Sequence, residues 1–477
     1  MAAVRNNFFI LCLTICFLLS LVTDWYSFLS IALFVLTVFA ILDKLGKGLL
    51  LREIVVLHAI FICLVMPVLG YQVYNHENTM ARLFYKYMVV PEDVYFSYNL
   101  PALCVFSISM CFPITKGGVI LDEGDSFKSL LQSVRNQLRT RFKTGIIIVL
   151  TGTFSLFLIT LIPQDIRFVV TLFYFSSFAG ILYIYYGPAI RSKNFLLILF
   201  TVFVVGLAIQ SAIFTVVVYM GMTIFSFLFL GRRYAMWKKF TVFVVGCFLL
   251  FIIQNVKTSF RDITWGEKVV DNKAGVFGDV IVDKLSNMDK LVSVGGFFPV
   301  YMRTNQGINI SLVMRRIPAR QDYDNGSRLF TTAFSALVPR ILWQNKPEAG
   351  GKATMKYFTG QNIVGWSTNV GPLGEAYGSF GPVGAIVYMF VLGLFIRWAY
   401  FKIFVVGQRL PLVILWIPVL FYQVTYCMET DSLQIFNSLT KGAFFLWMLY
   451  KIFPSWFGVL KKQPNIRRTP RRSHSPA

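Results

Sequence analysis

The sequence predicts an all-α polytopic membrane protein of about twelve transmembrane helices with one large loop domain outside the bilayer. Three observations predict it. Of 477 residues, 56% are hydrophobic and 17% aromatic while 14% are charged, a composition that would leave lipid-like surface on a water-soluble fold. Apolar runs long enough to cross about 30 Å of hydrocarbon recur along the chain. Lys and Arg are concentrated in alternate connections, as when short cytoplasmic loops retain basic residues.

In chain order the apolar runs lie at 8–22, 26–42, 54–71, 94–112, 144–162, 169–187, 195–210, 211–230, 241–256, 380–396, 410–427 and 436–453. The stretch from 195 to 230 is too long for one crossing and is broken only by Gln210 and Ser211, which reads as a tight helical hairpin. With the amino terminus inside, the cytoplasmic segments carry 25 Lys and Arg. The short outer loops carry three, Arg82, Lys86 and Arg167. One span more or fewer would scramble this asymmetry, so both termini are expected in the cytoplasm. The first span is followed by no small-residue cleavage site and reads as a retained signal anchor.

The chain therefore divides into nine spans over 1–256, an outer loop over 257–371, three spans over 372–454 and a basic tail over 455–477. Near 125–143, Phe127, Leu131, Val134, Leu138 and Phe142 recur at helical spacing beside Lys128, Arg135, Arg139 and Arg141. This is the pattern of an amphipathic helix lying at a membrane surface. The tail, with Arg467, Arg468, Arg471 and Arg472 among Pro and Ser, is suited to anionic lipid. The net charge of +23 is thus assigned to membrane lipids and an anionic substrate, and no nucleic acid is expected.

The seven cysteines lie in or at the ends of apolar runs, so no disulfide framework is implied. His58, His76 and His474 have neither metal-ligand spacing nor Cys neighbours, and no metal or other cofactor is expected.

The outer loop is where chemistry is sought, because connections of this length are usually functional. Between residues 303 and 356 it holds nine basic residues against Asp322, Asp324 and Glu348. One reading is a charged, solvated surface. The other is a site for an anionic ligand, where guanidinium groups grip phosphate oxygens in pairs. Trp265, Tyr301, Tyr323, Trp343, Tyr357 and Trp366 are interleaved and suited to sugar rings or the headgroup layer.

Three stretches then carry a resemblance: Val256-Lys257-Thr258-Ser259-Phe260-Arg261, Leu337-Val338-Pro339-Arg340-Ile341-Leu342-Trp343-Gln344-Asn345-Lys346-Pro347, and Gly374-Glu375-Ala376-Tyr377-Gly378-Ser379-Phe380-Gly381. Their order resembles the bacterial oligosaccharide repeat-unit polymerases, the Wzy-type O-antigen and capsule polymerases, chiefly over 257–400. Asn345 stands where that family's stretch carries an acidic residue, so no carboxylate is assigned there. The resemblance implies a GT-C-like membrane glycosyltransferase of the bacterial inner membrane, with the loop in the periplasm. It would transfer a growing glycan from undecaprenyl pyrophosphate to a fresh lipid-linked repeat unit. Donor and acceptor are both undecaprenyl-pyrophosphate-linked glycans, and a chain-length regulator and a flippase are implied as partners.

Fixed cations stabilise a departing pyrophosphate without obligatory metal. Arg340 and Lys346 are the leading candidates, with Lys257, Arg261, Arg315, Arg316, Arg320 and Arg328 as the wider pool. Glu375 is the candidate base that orients the acceptor hydroxyl, with Asp322 and Asp431 behind it. Trp343 and Tyr377 are candidate sugar or lipid contacts. Gly371, Gly374, Gly378, Gly381 and Gly384 have the spacing of a phosphate loop, but no strand precedes them and close helix packing is the reading adopted. Asp322-Tyr323-Asp324 matches the metal-binding DxD pattern of soluble glycosyltransferases, although no nucleotide sugar is available outside the membrane.

Two rivals differ in class. An O-antigen ligase should show a catalytic His in the loop, which has none. A lipid-linked oligosaccharide flippase should place ionisable residues within its spans, where His58 alone stands out.

Overall fold

The computed structural model describes residues 2–163, 166–232, 234–265, 272–338, 342–343, 350–363 and 368–459. The described residues are overwhelmingly helical, and their single sheet is a two-stranded hairpin. In order come α1 (Ala2–Val22), α2 (Tyr26–Lys44), α3 (Leu51–Ile60), a π-helical turn (Phe61–Val65), α4 (Met66–Val73), α5 (Ala81–Tyr87) and α6 (Glu92–Cys111). Strands β1 (Thr115–Lys116) and β2 (Val119–Ile120) lead to α7 (Gly124–Leu138), α8 (Phe142–Leu158), α9 (Arg167–Tyr186), α10 (Lys193–Ser211), α11 (Thr215–Phe229) and α12 (Met236–Thr264). Six short helices occupy the long loop: α13 (Lys273–Ser286), α14 (Met288–Val292), α15 (Val294–Thr304), α16 (Gly307–Arg316), α17 (Ser327–Leu337) and α18 (Gly351–Thr359). The chain closes with α19 (Gly371–Gly407), a 3-10 turn (Pro411–Trp416), α20 (Ile417–Thr425), a second 3-10 turn (Cys427–Glu429), α21 (Ser432–Ile452) and a last turn (Pro454–Phe457).

Nine helices among the described residues are long and apolar enough to cross a bilayer, and a tenth follows if α7 and α8, bent by 87°, are taken as one. Three of the twelve expected spans differ, although each has a helix in place. Helices α8 and α11 are short, with 17 and 15 residues. Helix α21 has 21 residues, but Gln434, Asn437 and Lys441 dilute its apolar character. The hairpin read at 210–211 is present, turning through Ala212 in the left-handed region.

Helices α6 and α19 pack tightly together, with α1, α3 and the π turn against α6 and α16 against α19. Most of the core is one large cluster of buried apolar side chains, with smaller clusters around Ile41 and Leu50, around Ala208 and Phe260, and around Ile252 and Val280. Helix α7 is amphipathic as expected, but its apolar face is covered by protein. Phe127, Leu130, Leu131, Val134 and Leu138 are buried, and α7 packs on α9 and the turn at Pro411–Trp416. Phe142 belongs to the next helix.

Several basic residues read as loop charges are structural. Lys44 Nζ donates to Glu53 Oε1 at 2.8 Å and to Asp122 Oδ2 at 2.9 Å, and Arg52 Nη2 donates to the same Asp122 oxygen at 2.8 Å. All four side chains are buried. Arg52 and Arg397 also donate to the carbonyl oxygen of Phe112, where α6 ends, and Arg5 pairs with Asp43 and Glu123. Burial alone would push the Asp122 carboxyl up, but Lys44 and Arg52 outweigh it and hold it below the usual carboxylate range. This cluster ties the hairpin loop to α2 and α3.

Helix α19 is two helices in one. Its 37 residues would span about 55 Å, far more than a bilayer needs. Gly381, at φ 68 and followed by Pro382, breaks it after the first ten residues. Those ten are almost wholly buried, because the short helices of the loop cover them. Gly378 lies so close to α18 that a Cβ would sit 2.5 Å from the Phe358 ring. Close packing is therefore the role of the glycines here.

Candidate functional site

The buried first part of α19 meets the start of α21, and the two carboxylates of interest face each other there. Asp431 caps α21, its Oδ1 accepting the Gln434 N–H at 2.7 Å. Its Oδ2 accepts from Gly350 N at 2.8 Å and from Asn369 Nδ2 at 3.1 Å. Glu375 Oε2 accepts from Ser432 N at 2.8 Å and from Ser432 Oγ at 2.5 Å. Tyr388, about two turns beyond the kink, donates its hydroxyl to Ser432 Oγ at 2.8 Å. Both carboxylates are buried, close enough to interact electrostatically. Ser432 thus holds one oxygen of Glu375, Oε2, through both its backbone N–H and its hydroxyl.

A polar layer supports this pair. Gln306 Nε2 donates to Asn369 O at 2.7 Å, and Asn309 Nδ2 donates to Gln306 Oε1 at 3.1 Å and to Thr368 Oγ1 at 2.8 Å. The π turn exposes carbonyls that would be satisfied in an α-helix: Ile62 O accepts from Gln306 N and Cys63 O from the Tyr95 hydroxyl. Its irregularity seats the start of α16.

Arg328 is the one basic residue of the expected pool that interacts electrostatically with Glu375 among the described residues. Its guanidinium lies over the Tyr357 ring, 4.4 Å from the centroid. Tyr357 in turn donates to Asp324 Oδ2 at 3.2 Å. Burial first, and Asp324 second, push the Tyr357 phenol above its ordinary pKa, so it stays a neutral donor. Asp324 Oδ1 accepts from Gly326 N at 2.9 Å. With both oxygens engaged in the turn and with Tyr357, Asp324 is poorly disposed to serve the DxD role, while Asp322 is exposed. Tyr377 is buried edge-on to Tyr323 and beside Tyr98, whose hydroxyl donates to Leu373 O at 2.8 Å.

The remaining pool is dispersed. Lys257 and Arg261, one turn apart on α12, gather with Arg303 of α15. Arg261 donates to Ala212 O at 2.8 Å and stacks over Trp265 at 4.4 Å. Arg315 and Arg320 are exposed at the end of α16. Arg316 donates to Gln321 Oε1 at 3.2 Å and is pressed against Gly360. Trp343 packs beside Phe334, ring centroids 6.3 Å apart. Arg340 and Lys346 lie outside the described residues, as do Trp366 and the basic tail from 460 onward.

Ser432, Tyr388 and Asn369 were not singled out from sequence. The pattern Asp431-x-x-Gln434, a helix-start signal, was available to place Asp431 and Ser432 at a helix entry. A second cluster was also missed. Glu429 Oε1 is 3.2 Å from His58 Nε2, its Oε2 accepts from the Tyr219 hydroxyl at 2.7 Å, and Lys257 is near. The turn over 427–432 thus offers Glu429 to one side and Asp431 to the other.

The chain belongs to the DUF8712 family, a domain of unknown function that matches residues 10–405. That range includes Arg328 and Glu375 and ends before Asp431 and Ser432. No curated protein and no solved structure matches the chain.

Proposed function

We propose that the protein is a Wzy-type polymerase, a GT-C-like inner-membrane glycosyltransferase that joins undecaprenyl-pyrophosphate-linked repeat units on the periplasmic face. The observation that carries the reading is Glu375, a buried carboxylate held by Ser432 on one oxygen, beside Asp431 and the aromatic-stacked Arg328. The acceptor hydroxyl attacks the donor's anomeric carbon while the bond from that carbon to the pyrophosphate oxygen breaks. The hydroxyl proton passes to Oε1 of Glu375, the oxygen that Ser432 does not hold, and the bonding electrons leave with the lipid pyrophosphate. Arg328 answers the growing negative charge, with Arg340 and Lys346 as further cations from the family-like stretch. Trp343 offers a ring face to sugars or lipid, and Tyr377, buried between Tyr98 and Tyr323, supports the site from within.

Orientation follows from the basic residues that remain after the structural ones are set aside. Arg139, Lys143, Arg191, Arg232, Lys238 and Arg409 still fall in the connections read as cytoplasmic from the sequence, which supports both termini in the cytoplasm.

A second reading, a lipid-linked oligosaccharide flippase, gains from His58, Glu429, Tyr219 and Lys257, an ionisable cluster among apolar helices. The deciding experiment is a surface-polysaccharide gel from a deletion strain. Loss of a polymerase leaves one repeat unit on the core. Loss of a flippase or a ligase leaves none, and that outcome would remove the polymerase reading.

A further inference from the structure

A second polar cluster sits among the apolar helices. His58 on α3 donates from Nε2 to Glu429 Oε1 at 3.2 Å, and the Tyr219 hydroxyl on α11 donates to Glu429 Oε2 at 2.7 Å. The His58 and Tyr219 rings meet edge to face with centroids 5.7 Å apart, and Tyr219 stacks on Tyr426 at 4.3 Å. His58 lies about 10 Å along the span Leu51–Val73 from its first residue. Tyr219 lies about 15 Å from the end of α11 at Phe229. Ionisable groups at such depth are costly and mark functional sites, ion and proton sites among them.

Two members of the cluster stand at breaks in regular helix. The π turn at Phe61–Val65 follows His58 within one turn of α3, and Glu429 ends the 3-10 turn between α20 and α21. Discontinuous helices of this kind build ion sites in membrane proteins. A metal ion suits the donor set poorly. Both Glu429 oxygens already accept a hydrogen bond, and no group of three His, Cys, Asp or Glu gathers among the described residues. A proton suits it well, carried by the imidazole and balanced by the carboxylate. At 3.2 Å the pair is longer than the about 2.7–2.9 Å of a charge-assisted bond, so it has room to close when His58 is charged. The Glu429 side chain is 37% accessible, which gives solvent a route to the pair. The other titratable groups around it are Lys257 of α12, Cys63 of the π turn, and Tyr422, Tyr426 and Cys427 before Glu429. Helix α2 has no ionisable side chain between Tyr26 and Asp43, and α6 brings Cys104 to about this level, between its contacts at Cys63 O and Arg52.

We propose that His58, Tyr219 and Glu429 form a proton-binding site within the spans, and that its state is felt at Glu375 through the turn over 427–432. Glu429 is bonded toward α3 and α11. Its neighbours on the same turn touch the other site. Met428 O leaves no room for a Cβ at Gly371, the first residue of α19. Asp431 Oδ2 holds Gly350 and Asn369, and Ser432 holds Glu375. The turn is short and bonded on both sides, so a proton that draws Glu429 toward His58 pulls on the residues that hold Glu375. The proton site stands without the polymerase reading, and its effect on bond formation rests on that reading.

The chain has three histidines, so isotopic labelling of histidine nitrogen in the full-length protein, held in lipid nanodiscs, resolves His58 by NMR, with His58→Gln identifying its signal. It should titrate between about pH 5 and 9, the ordinary histidine range widened by the facing charge. In Glu429→Gln its midpoint should fall by roughly one to three pH units, because the opposite charge is lost. Tyr219→Phe removes a donor from Glu429, strengthens the charge that His58 meets and should move the midpoint upward. An imidazole that keeps one protonation state across that range, or a midpoint unchanged in Glu429→Gln, would overturn the site. If Glu429→Gln does not fold, an unchanged midpoint in Tyr219→Phe overturns it instead. For the link to Glu375, linkage formation in liposomes should show an inflection in its pH profile at the His58 midpoint, and His58→Gln should lack it. The same profile in both proteins removes the link. Absence of any linkage from the unsubstituted protein counts against the polymerase reading, and the titration then judges the proton site alone.

Discussion

Glu375→Gln separates chemistry from architecture at the candidate site. The Gln side-chain oxygen can accept both hydrogen bonds that Ser432 gives to Glu375 Oε2, at 2.8 and 2.5 Å, so the junction of α19 and α21 should persist. What disappears is the proton acceptor on the other oxygen. Losing a general base costs roughly a hundredfold or more in rate, equivalent to about 2.7 kcal/mol on the barrier. Ser432→Ala should behave differently. It deletes a hydroxyl that is donor to Glu375 and acceptor from Tyr388, and each lost buried hydrogen bond costs about 0.5–1.5 kcal/mol, so protein abundance should fall along with activity. The assay is complementation of a deletion strain, with glycan ladder length read beside immunoblotted protein. Arg82→Ala, an exposed change in α5, is the silent control. A wild-type ladder from Glu375→Gln at normal abundance would refute the assignment of Glu375 as base.

Asp122→Asn should destabilise the protein by about 3–5 kcal/mol, because Lys44 and Arg52 would remain buried without their shared carboxylate; thermal unfolding in detergent measures it. Since Asp122 titrates below its unfolded value, its contribution is complete above about pH 4 and is lost as pH falls through the folded value. Equal stability of variant and wild type at neutral pH would contradict this. Gly378→Val should cost about 1–3 kcal/mol by overpacking against Phe358, seen as lower membrane abundance, and an undiminished level would show that α18 is loosely held. Reporter fusions at Lys239 and Arg409 should read cytoplasmic and one at Asp279 periplasmic; a cytoplasmic Asp279 would put the basic loop on the wrong side for a lipid-linked donor.

Spanning helices were legible because hydrocarbon demands long apolar runs, and the runs at 26–42, 169–187 and 195–210 fall within helices α2, α10 and, but for one terminal residue, α9. The run at 241–256 underestimates α12, which continues to Thr264 through Lys257, Thr258, Arg261 and Asp262. Backbone hydrogen bonds carry a helix past the point where its apolar signal stops. Burial of Lys44 and Arg52 was illegible for another reason. Their partner Asp122 lies 78 and 70 residues away, and no local pattern reports such a pairing, so they read as loop charges. The place of Glu375 at the head of a late span was legible, since it lies near the start of α19, but its burial against Ser432 was not. The sequence treated the basic pool as one site because its members are close in number. In space, Lys257 and Arg261 belong with Arg303, whereas among the described residues Arg328 is the member of the pool that interacts electrostatically with Glu375, since α17 turns back onto α21.

The central claim is bond formation at Glu375, and purified protein in liposomes tests it most directly. Given undecaprenyl-pyrophosphate-linked repeat units on the loop side, with excess chelator present, it should yield a glycan ladder and release one undecaprenyl pyrophosphate per linkage. Movement of the lipid-linked unit across the bilayer with no new linkage, or a ladder that requires added magnesium, would contradict the account.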